Sequence, residues 1–189
     1  MTVTKQKLVS MLQYMRPAYS LTEKIFCDKY LLPVFGEPDA HGNYTKIVGK
    51  RPNIAFTAHT DTVHKAEGIQ TLTIENDFIT TMTGNCLGAD CTTGLWLMLG
   101  MIAEGVEGVY VAHAAEEIGG LGSASLVADS PAWLNEIDAV ISFDRFGRNS
   151  IITHQGGLRT ASDIFATSLA SALDMPNLKA DSYGTYTDS

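Results

Sequence analysis

The chain has 189 residues, of which 45% are hydrophobic and 18% are charged, a composition typical of one folded domain with a full core. Its formal net charge of −8 at pH 7 leaves no basic surface to neutralise phosphates, which argues against nucleic-acid binding. No apolar stretch is long enough for a transmembrane helix, and the start of the chain lacks the apolar segment of a signal peptide. With three cysteines and no CxxC pair, we expect a reduced, cytoplasmic protein without membrane contact.

The beginning of the chain is predicted to form two helices. The first has apolar residues at helical spacing from Leu8 to Met15 and ends before Pro17. Ser20 and Glu23 form a capping-box pattern that opens a second helix, running to about Tyr30. A turn cluster at 39–43 then precedes an alternating segment at 44–48, which predicts a strand.

Three continuous apolar runs predict buried strands of a parallel or mixed sheet: Ile54 to Ala58, Val109 to Ala112 and Ala139 to Phe143. Helical patterns lie between these strands and after the last one: Leu95 to Ile102, Gly119 to Val127 and Ser162 to Leu173. The alternation of strands and helices predicts an α/β sandwich.

Imidazole or carboxylate side chains follow each of the three strands: His59 and Asp61 after the first, Glu116 and Glu117 after the second, and Asp144 after the third. Ligands bind outside the carboxyl ends of the strands in open α/β sheets. We therefore expect these side chains to lie at one edge of the sheet.

A further carboxylate lies at the start of the apolar helix. Asp90 comes just before Thr92, the predicted N-cap, which would place the carboxylate beside the positive end of the helix. Each acidic group alone has an ordinary explanation as a cap, a turn former or a surface residue. Together they form a nitrogen and oxygen donor set that suits zinc, or cobalt and manganese less selectively: His59, Asp90, Glu117 and Asp144.

The order of these motifs resembles that of the co-catalytic zinc exopeptidases, which include the M28, M42 and M20 peptidase families. The matching stretches are HTDTV at 59–63, LGAD at 87–90, EEIG at 116–119 with the following Gly-Ser at 122–123, and SFD at 142–144. The stretch at 39–43 also resembles the D-x-x-G-N sequence common ahead of the first ligand. Because there is no room for an M20-type dimerisation insert, an M28-like plan fits best. The resemblance implies a three-layer α/β/α sandwich with a mixed, mostly parallel sheet.

The resemblance also implies an aminopeptidase that cleaves peptide or small amide substrates with two zinc ions. The implied metal ligands are Asp90 as the bridge, His59 and Asp144 on one ion, and Glu117 on the other. Glu116 would be the general base for the water between the metals. Asp61 would orient His59 through its ring N–H.

The sequence departs from the family pattern in two places. An acidic residue commonly follows the bridging aspartate, where this chain has Cys91, which we interpret as a small buried residue at a helix start. The pattern also requires one more histidine beyond the end of this sequence, followed by a strand and a helix. We therefore expect residues 1–189 to be a single catalytic domain that is C-terminally incomplete, with one weak zinc site. The edge or apolar face left uncovered would favour a homo-oligomer.

Two other functions are consistent with these residues: a deacylase of amino-acid conjugates with the same metal chemistry, and a catalytically impaired metal-binding remnant. His154 is the one candidate for an additional ligand. His113 is expected to be a satisfied interior histidine, His64 to line the cleft or lie in a loop, and His41 to lie in a turn.

Overall fold

The computed structural model describes residues 4–82, 84 and 86–187. These residues form two compact units, one that ends at Asp144 and one that spans Arg145–Thr187. No helix in the described part of the chain is long and apolar enough to cross a membrane.

The helices of the first unit are α1 (Lys5–Leu12), α2 (Leu21–Tyr30), α3 (Leu32–Phe35), α4 (Ala89–Ala103) and α5 (Leu121–Asp129), with a short 3-10 helix at Ala132–Glu136. Its strands are β1 (Tyr14–Met15), β2 (Tyr44–Val48), β3 (Ile54–His59), β4 (Gly68–Ile69), β5 (Leu72–Glu75), β6 (Phe78–Thr81), β7 (Gly108–His113) and β8 (Ala139–Ser142).

The central sheet has the strand order β2-β7-β3-β8. Strand β3 is parallel to both β7 and β8, whereas β2 is antiparallel to β7. The predicted mixed, mostly parallel sheet is therefore confirmed. Because β3, β7 and β8 run in the same direction, their carboxyl ends meet at one edge, where His59 is the register partner of His113.

Helices cover both faces of this sheet, because successive strand residues point to opposite sides. On one face, Phe56 and Tyr110 pack with buried residues of α1, α2 and α4. On the other face, Val109 and Val111 pack against Leu126 of α5. This arrangement confirms the three-layer α/β/α architecture.

The first predicted helix, Leu8 to Met15, is wrong in its bounds. Helix α1 ends at Leu12, and residues Tyr14 and Met15 instead form β1, paired with β4 in antiparallel register. Pairing with a distant strand overrides the local helical periodicity here. The capping residue of α2 is confirmed, because the Glu23 N–H donates to Ser20 Oγ at 3.1 Å.

Helix α4 begins earlier than predicted, so Thr92 is not its N-cap. The cap is Gly88, whose φ of 63° lies in the left-handed region that favours glycine. Asp90 nevertheless lies in the first turn, at the positive end of the helix, as expected. A Cβ atom at Gly94 would stand 2.6 Å from the backbone oxygen of Phe143, so this glycine allows α4 to pack closely on the strand ends.

The second unit contains β9 (Ser150–Ile152), β10 (His154–Gln155), β11 (Leu158–Arg159), α6 (Asp163–Ala172) and β12 (Lys179–Asp181). Strand β12 is parallel to β9, and β10 is antiparallel to β11. Helix α6 agrees with the predicted last helix and is capped by Ser162, whose Oγ accepts from the Phe165 N–H at 3.0 Å.

Candidate active site

The carboxyl edge of the central sheet brings the predicted site residues together around one imidazole. His59 Nε2 lies 4.0 Å from Glu116 Oε2 and 3.9 Å from Asp144 Oδ1. Possible donor atoms of His59, Glu116 and Glu117 lie within 4.8 Å of one another. Those of His59, Asp90 and Cys91 form a second such group. His59 is 2% exposed, whereas Asp90 is exposed, so the cluster is open to solvent on the side of Asp90.

Asp61 connects two of the segments that build the cluster. Its carboxylate is fully buried, and it accepts hydrogen bonds from the N–H groups of Glu116 and Glu117, each at 3.0 Å. Asp61 Oδ1 also lies 3.3 Å from His59 Nδ1. That ring nitrogen has no well-aligned hydrogen-bond partner in the described part of the chain. Asp61 therefore fixes the backbone of the two glutamates and lies beside the His59 ring, and its role in orienting that ring stays a prediction.

The turn that carries Glu116 and Glu117 is also supported from the stretch at 39–43. Asn43 is buried, its Oδ1 accepts from the Ala114 N–H at 3.1 Å, and its Nδ2 donates to the Gly122 oxygen at 3.1 Å. Asp39 holds Asn43 in place by accepting from its Nδ2 at 2.9 Å. Ala115, between the strand and the glutamates, has a φ of 58°, so these bonds stabilise a backbone conformation that a non-glycine residue rarely adopts.

Carboxylates surround His59 and Glu117 and shift the pKa values of both. Burial alone would lower the pKa of His59, but its surroundings raise it to about 12. Burial raises the pKa of Glu117, and nearby carboxylates raise it further although His59 opposes them. The groups that raise these two pKa values are Cys91, Asp144 and Asp61 for His59, and Asp90, Asp61 and Asp144 for Glu117. The raised pKa values mean that His59 and Glu117 both hold their protons more tightly, which lowers the negative charge of the cluster. A bound cation would lower it in the same way.

The donor set fits a transition-metal ion. It combines an imidazole with several carboxylates, as zinc sites do. Two zinc–ligand bonds that meet at a tetrahedral angle join donor atoms roughly 3.4 Å apart. The distance of 3.9 Å from His59 Nε2 to the nearer Asp144 oxygen is close to this value, so a small side-chain adjustment would let these two groups bind one ion.

The other histidines occupy different surroundings. His113 is 3% exposed, and burial followed by repulsion from His59 lowers its pKa to about 4. It is an interior residue as expected, but its Nδ1 has no hydrogen-bond partner among the described residues. His64 is buried with its Nδ1 2.8 Å from Thr62 Oγ1, and His41 pairs with Asp129 at 3.2 Å. His154 belongs to the second unit, and its role as an additional ligand stays a prediction.

Sequence reasoning missed two buried charged residues of the N-terminal segment. Glu23 accepts a hydrogen bond from Thr60 Oγ1 at 2.5 Å, and burial raises its pKa. Arg16 is fully buried and donates from Nε to the Thr60 oxygen at 2.8 Å. The capping-box pattern explained Glu23 as a residue at the start of a helix, so no buried role was expected for it. No local sequence pattern predicts that Arg16 is buried. Cys91 is buried as expected, but its place beside His59 and Asp90 was not predicted.

A helix-covered mixed sheet with an imidazole and carboxylate cluster at the carboxyl ends of its parallel strands defines an aminopeptidase-like α/β fold. The model of peptidase family M28 matches residues 44–181. The chain therefore belongs to peptidase family M28, and the prediction made from the motifs is confirmed at this level.

Three solved structures share the fold. Aminopeptidase PepT from Bacillus cereus superposes with a TM-score of 0.58 at 20% identity, over 81% of this chain and 47% of its own. PhTET1-12s, solved as a dodecamer, has a TM-score of 0.69 at 14% identity, over 97% and 85% of the two chains. A TET aminopeptidase from a marine sediment thaumarchaeon gives 0.62 at 13% identity, over 97% and 82%. The chain thus spans about half the length of PepT, and no curated protein sequence matches it.

Proposed function

We propose that this chain provides the catalytic centre of a zinc-dependent aminopeptidase. The observation that supports this function best is the position of His59 Nε2, about 4 Å from carboxylate oxygens of both Glu116 and Asp144. These side chains lie at or just beyond the carboxyl ends of three parallel strands, and a cluster of this charge and composition is suited to binding divalent cations. The first unit carries every residue of the proposed centre, while a single domain over 1–189 stays a prediction.

The proposed metal ligands are the four that the motifs predicted: His59, Asp90, Glu117 and Asp144. Asp90 would be shared between two ions, as the resemblance of the motifs to the co-catalytic zinc exopeptidases implies. Bound zinc would polarise the scissile carbonyl and make water a stronger acid. Cobalt or manganese are the alternative ions for this donor set.

Glu116 is the proposed general base. Its Oε2 lies beside His59 Nε2, its side chain is 17% exposed, and Asp61 holds its backbone N–H. It can therefore reach both a water in the cluster and a substrate that enters from solvent. Glu116 would take a proton from the attacking water as the new C–O bond forms. It would then give this proton to the departing amine nitrogen as the C–N bond breaks.

The experiment compares the parent protein with Glu116→Gln, which keeps the size of the side chain but removes the base. We expect the variant to hold as much zinc as the parent after dialysis and to hydrolyse an aminoacyl anilide about 10²- to 10⁴-fold more slowly. Glu104→Gln, on the exposed end of α4, is the matched control and should retain full activity. Equal rates for the parent and Glu116→Gln would contradict the proposal.

The substrate preference is tested in the same assay. Aminopeptidase activity predicts that a peptide with a free N-terminus is cleaved and its N-acylated analogue is not. The reverse preference would favour the deacylase. A parent protein that binds zinc but cleaves neither substrate would favour the metal-binding remnant.

A homo-oligomer is the proposed state of association. Large apolar side chains lie on the surface around β4 and the β5–β6 hairpin, including Ile69, Phe78 and Met82, which are 61%, 74% and 69% exposed. Light scattering at micromolar concentration should give a mass above that of one chain, and a monomer would contradict this proposal.

The three thiols, all unpaired, support a reducing cytoplasmic compartment.

A further inference from the structure

A buried guanidinium group lies against the segment that follows β3. Arg16 is fully buried, and its Nε donates to the Thr60 oxygen at 2.8 Å. Its backbone N–H donates to Thr62 Oγ1 at 2.9 Å, and its backbone oxygen accepts from the Thr62 N–H at 2.8 Å. Three hydrogen bonds from this single residue therefore hold the positions on either side of Asp61.

The other end of the same guanidinium reaches the first turn of α4. Arg16 Nη2 donates to Thr92 Oγ1 at 2.9 Å and to Cys91 Sγ at 3.3 Å. These two residues directly follow Asp90. One rigid, planar group thus joins the segment of His59 and Asp61 to the turn that carries Asp90.

A buried arginine needs a reason, because removing a guanidinium from water is costly unless its donors are well satisfied. The side-chain hydrogen bonds of Arg16 go to two backbone oxygens, a hydroxyl oxygen and a cysteine sulfur, and its guanidinium carbon lies 3.9 Å from the centre of the Phe26 ring. An apolar side chain could fill this space with less desolvation. What the arginine adds is a fork of N–H groups with fixed geometry.

We propose that Arg16 is a positioning residue for the metal centre and sets the separation between His59 and Asp90. This inference rests on the proposed function, because it takes the cluster to be a metal site. Arg16 lies outside residues 44–181, the part matched by the family model. The N-terminal segment would therefore tune the metal affinity of a centre whose ligands all come from elsewhere in the chain.

The test measures zinc affinity by competition with a chromophoric chelator, together with the absorption spectrum of the cobalt-loaded protein. Arg16→Lys keeps the charge, but a single ammonium group cannot bond the Thr60 oxygen and Thr92 Oγ1 in the same geometry. We expect a folded variant with 10- to 100-fold weaker zinc binding, the range for residues that orient metal ligands, and an altered cobalt spectrum. Parent-like affinity and spectrum in the folded variant would overturn the inference.

A second pair of variants serves if Arg16→Lys does not fold. Thr92→Val removes the acceptor on α4 while keeping the side-chain shape, and Thr92→Ser keeps the hydroxyl group. The valine variant should lose zinc affinity and the serine variant should keep it. Equal affinities in the two variants would overturn the inference.

Leu126→Ala is the control for a loss of zinc affinity that results from lower stability alone. It is a core substitution on the opposite face of the sheet. It should lower the stability without changing the zinc affinity of the folded protein, and a matching loss of affinity would assign Arg16 a merely structural role. If the parent protein binds neither zinc nor cobalt, the proposed function itself fails and the inference fails with it. If the parent binds and the Arg16 and Thr92 variants bind equally well, only the inference fails.

Discussion

The carboxylate of Asp61 accepts a hydrogen bond from the backbone N–H of Glu116 at 3.0 Å. The bond joins the segment after β3 to the turn after β7, and it is fully buried on the Asp61 side. The position of the proposed general base therefore depends on a residue of another strand. Asp61 acts on Glu116 through the backbone, so it is a positioning residue for both glutamates.

Replacement of Asp61 by asparagine keeps the size of the side chain but removes one of its two hydrogen-bond acceptors. One oxygen can still accept from a backbone N–H, but the new amide group would face the second N–H without an acceptor. We expect activity to fall about 10- to 100-fold and the free energy of unfolding to fall by about 1–3 kcal/mol. Initial rates on an aminoacyl anilide and urea unfolding measure the two effects.

Asp129→Asn is the control for Asp61→Asn, because Asp129 is exposed and pairs with His41 at the surface. This control should differ from the parent by less than about 0.5 kcal/mol and keep full activity. Parent-like activity in Asp61→Asn would show that the two backbone hydrogen bonds do not position Glu116.

Asn43 should be important for stability although it lies outside the metal cluster. Truncation in Asn43→Ala leaves the Ala114 N–H and the Gly122 oxygen without their buried partner. We expect a loss of about 2–4 kcal/mol in the free energy of unfolding, measured by urea titration. Asn53→Ala, which removes an exposed hydrogen bond to Asp138, should cost less than about 1 kcal/mol. Similar costs for both variants would contradict the structural role of Asn43.

Zinc should stabilise the folded protein, because binding to the native state alone shifts the unfolding equilibrium. At a free zinc concentration 100 times the Kd, the gain is about 2.7 kcal/mol, or roughly 5–11 °C in Tm for a chain of this size. A chelator should reverse the gain. Asp144→Asn should reduce the shift, whereas Asp28→Asn, whose carboxylate pairs with Lys24 at the surface, should not. An equal shift in Asp144→Asn would remove Asp144 from the ligand set.

His113 predicts an acid-sensitive term in stability. The pKa of His113 in the folded protein is about 4, below the ordinary histidine value of 6.5 that applies in the unfolded chain. Between these two pH values the unfolded chain therefore binds a proton that the folded chain does not. The stabilising contribution is therefore complete above pH 6.5 and is lost as the pH falls towards 4, by about 3 kcal/mol in total. Urea unfolding at pH 7.5 and pH 5 should show a smaller decrease for His113→Gln than for the parent.

The control for His113→Gln is His41→Gln, because His41 is 39% exposed. It should leave the decrease between pH 7.5 and pH 5 close to that of the parent. An unchanged decrease in His113→Gln would mean that His113 is already protonated in the folded protein.

Local sequence was sufficient to predict the main strands and the edge at which the site lies. The predicted strand from Ile54 to Ala58 differs from β3 by one residue, because a continuous apolar run bounded by polar residues has few other stable structures. The same apolar runs predicted parallel strands, because strands buried on both faces are typical of parallel sheets. Parallel strands place their carboxyl ends at the same edge of the sheet. This is why His59, Glu116 and Asp144 could be grouped before their distances were known.

Tertiary structure decided the features that join distant parts of the chain. Tyr14 and Met15 follow a helical pattern, yet they pair with β4. Arg16 and Glu23 have the composition of surface residues, yet both are buried against Thr60. A local pattern reports only which face of an element is apolar. Which buried donor meets which acceptor depends on contacts between segments more than 30 residues apart, and only the packed chain contains them.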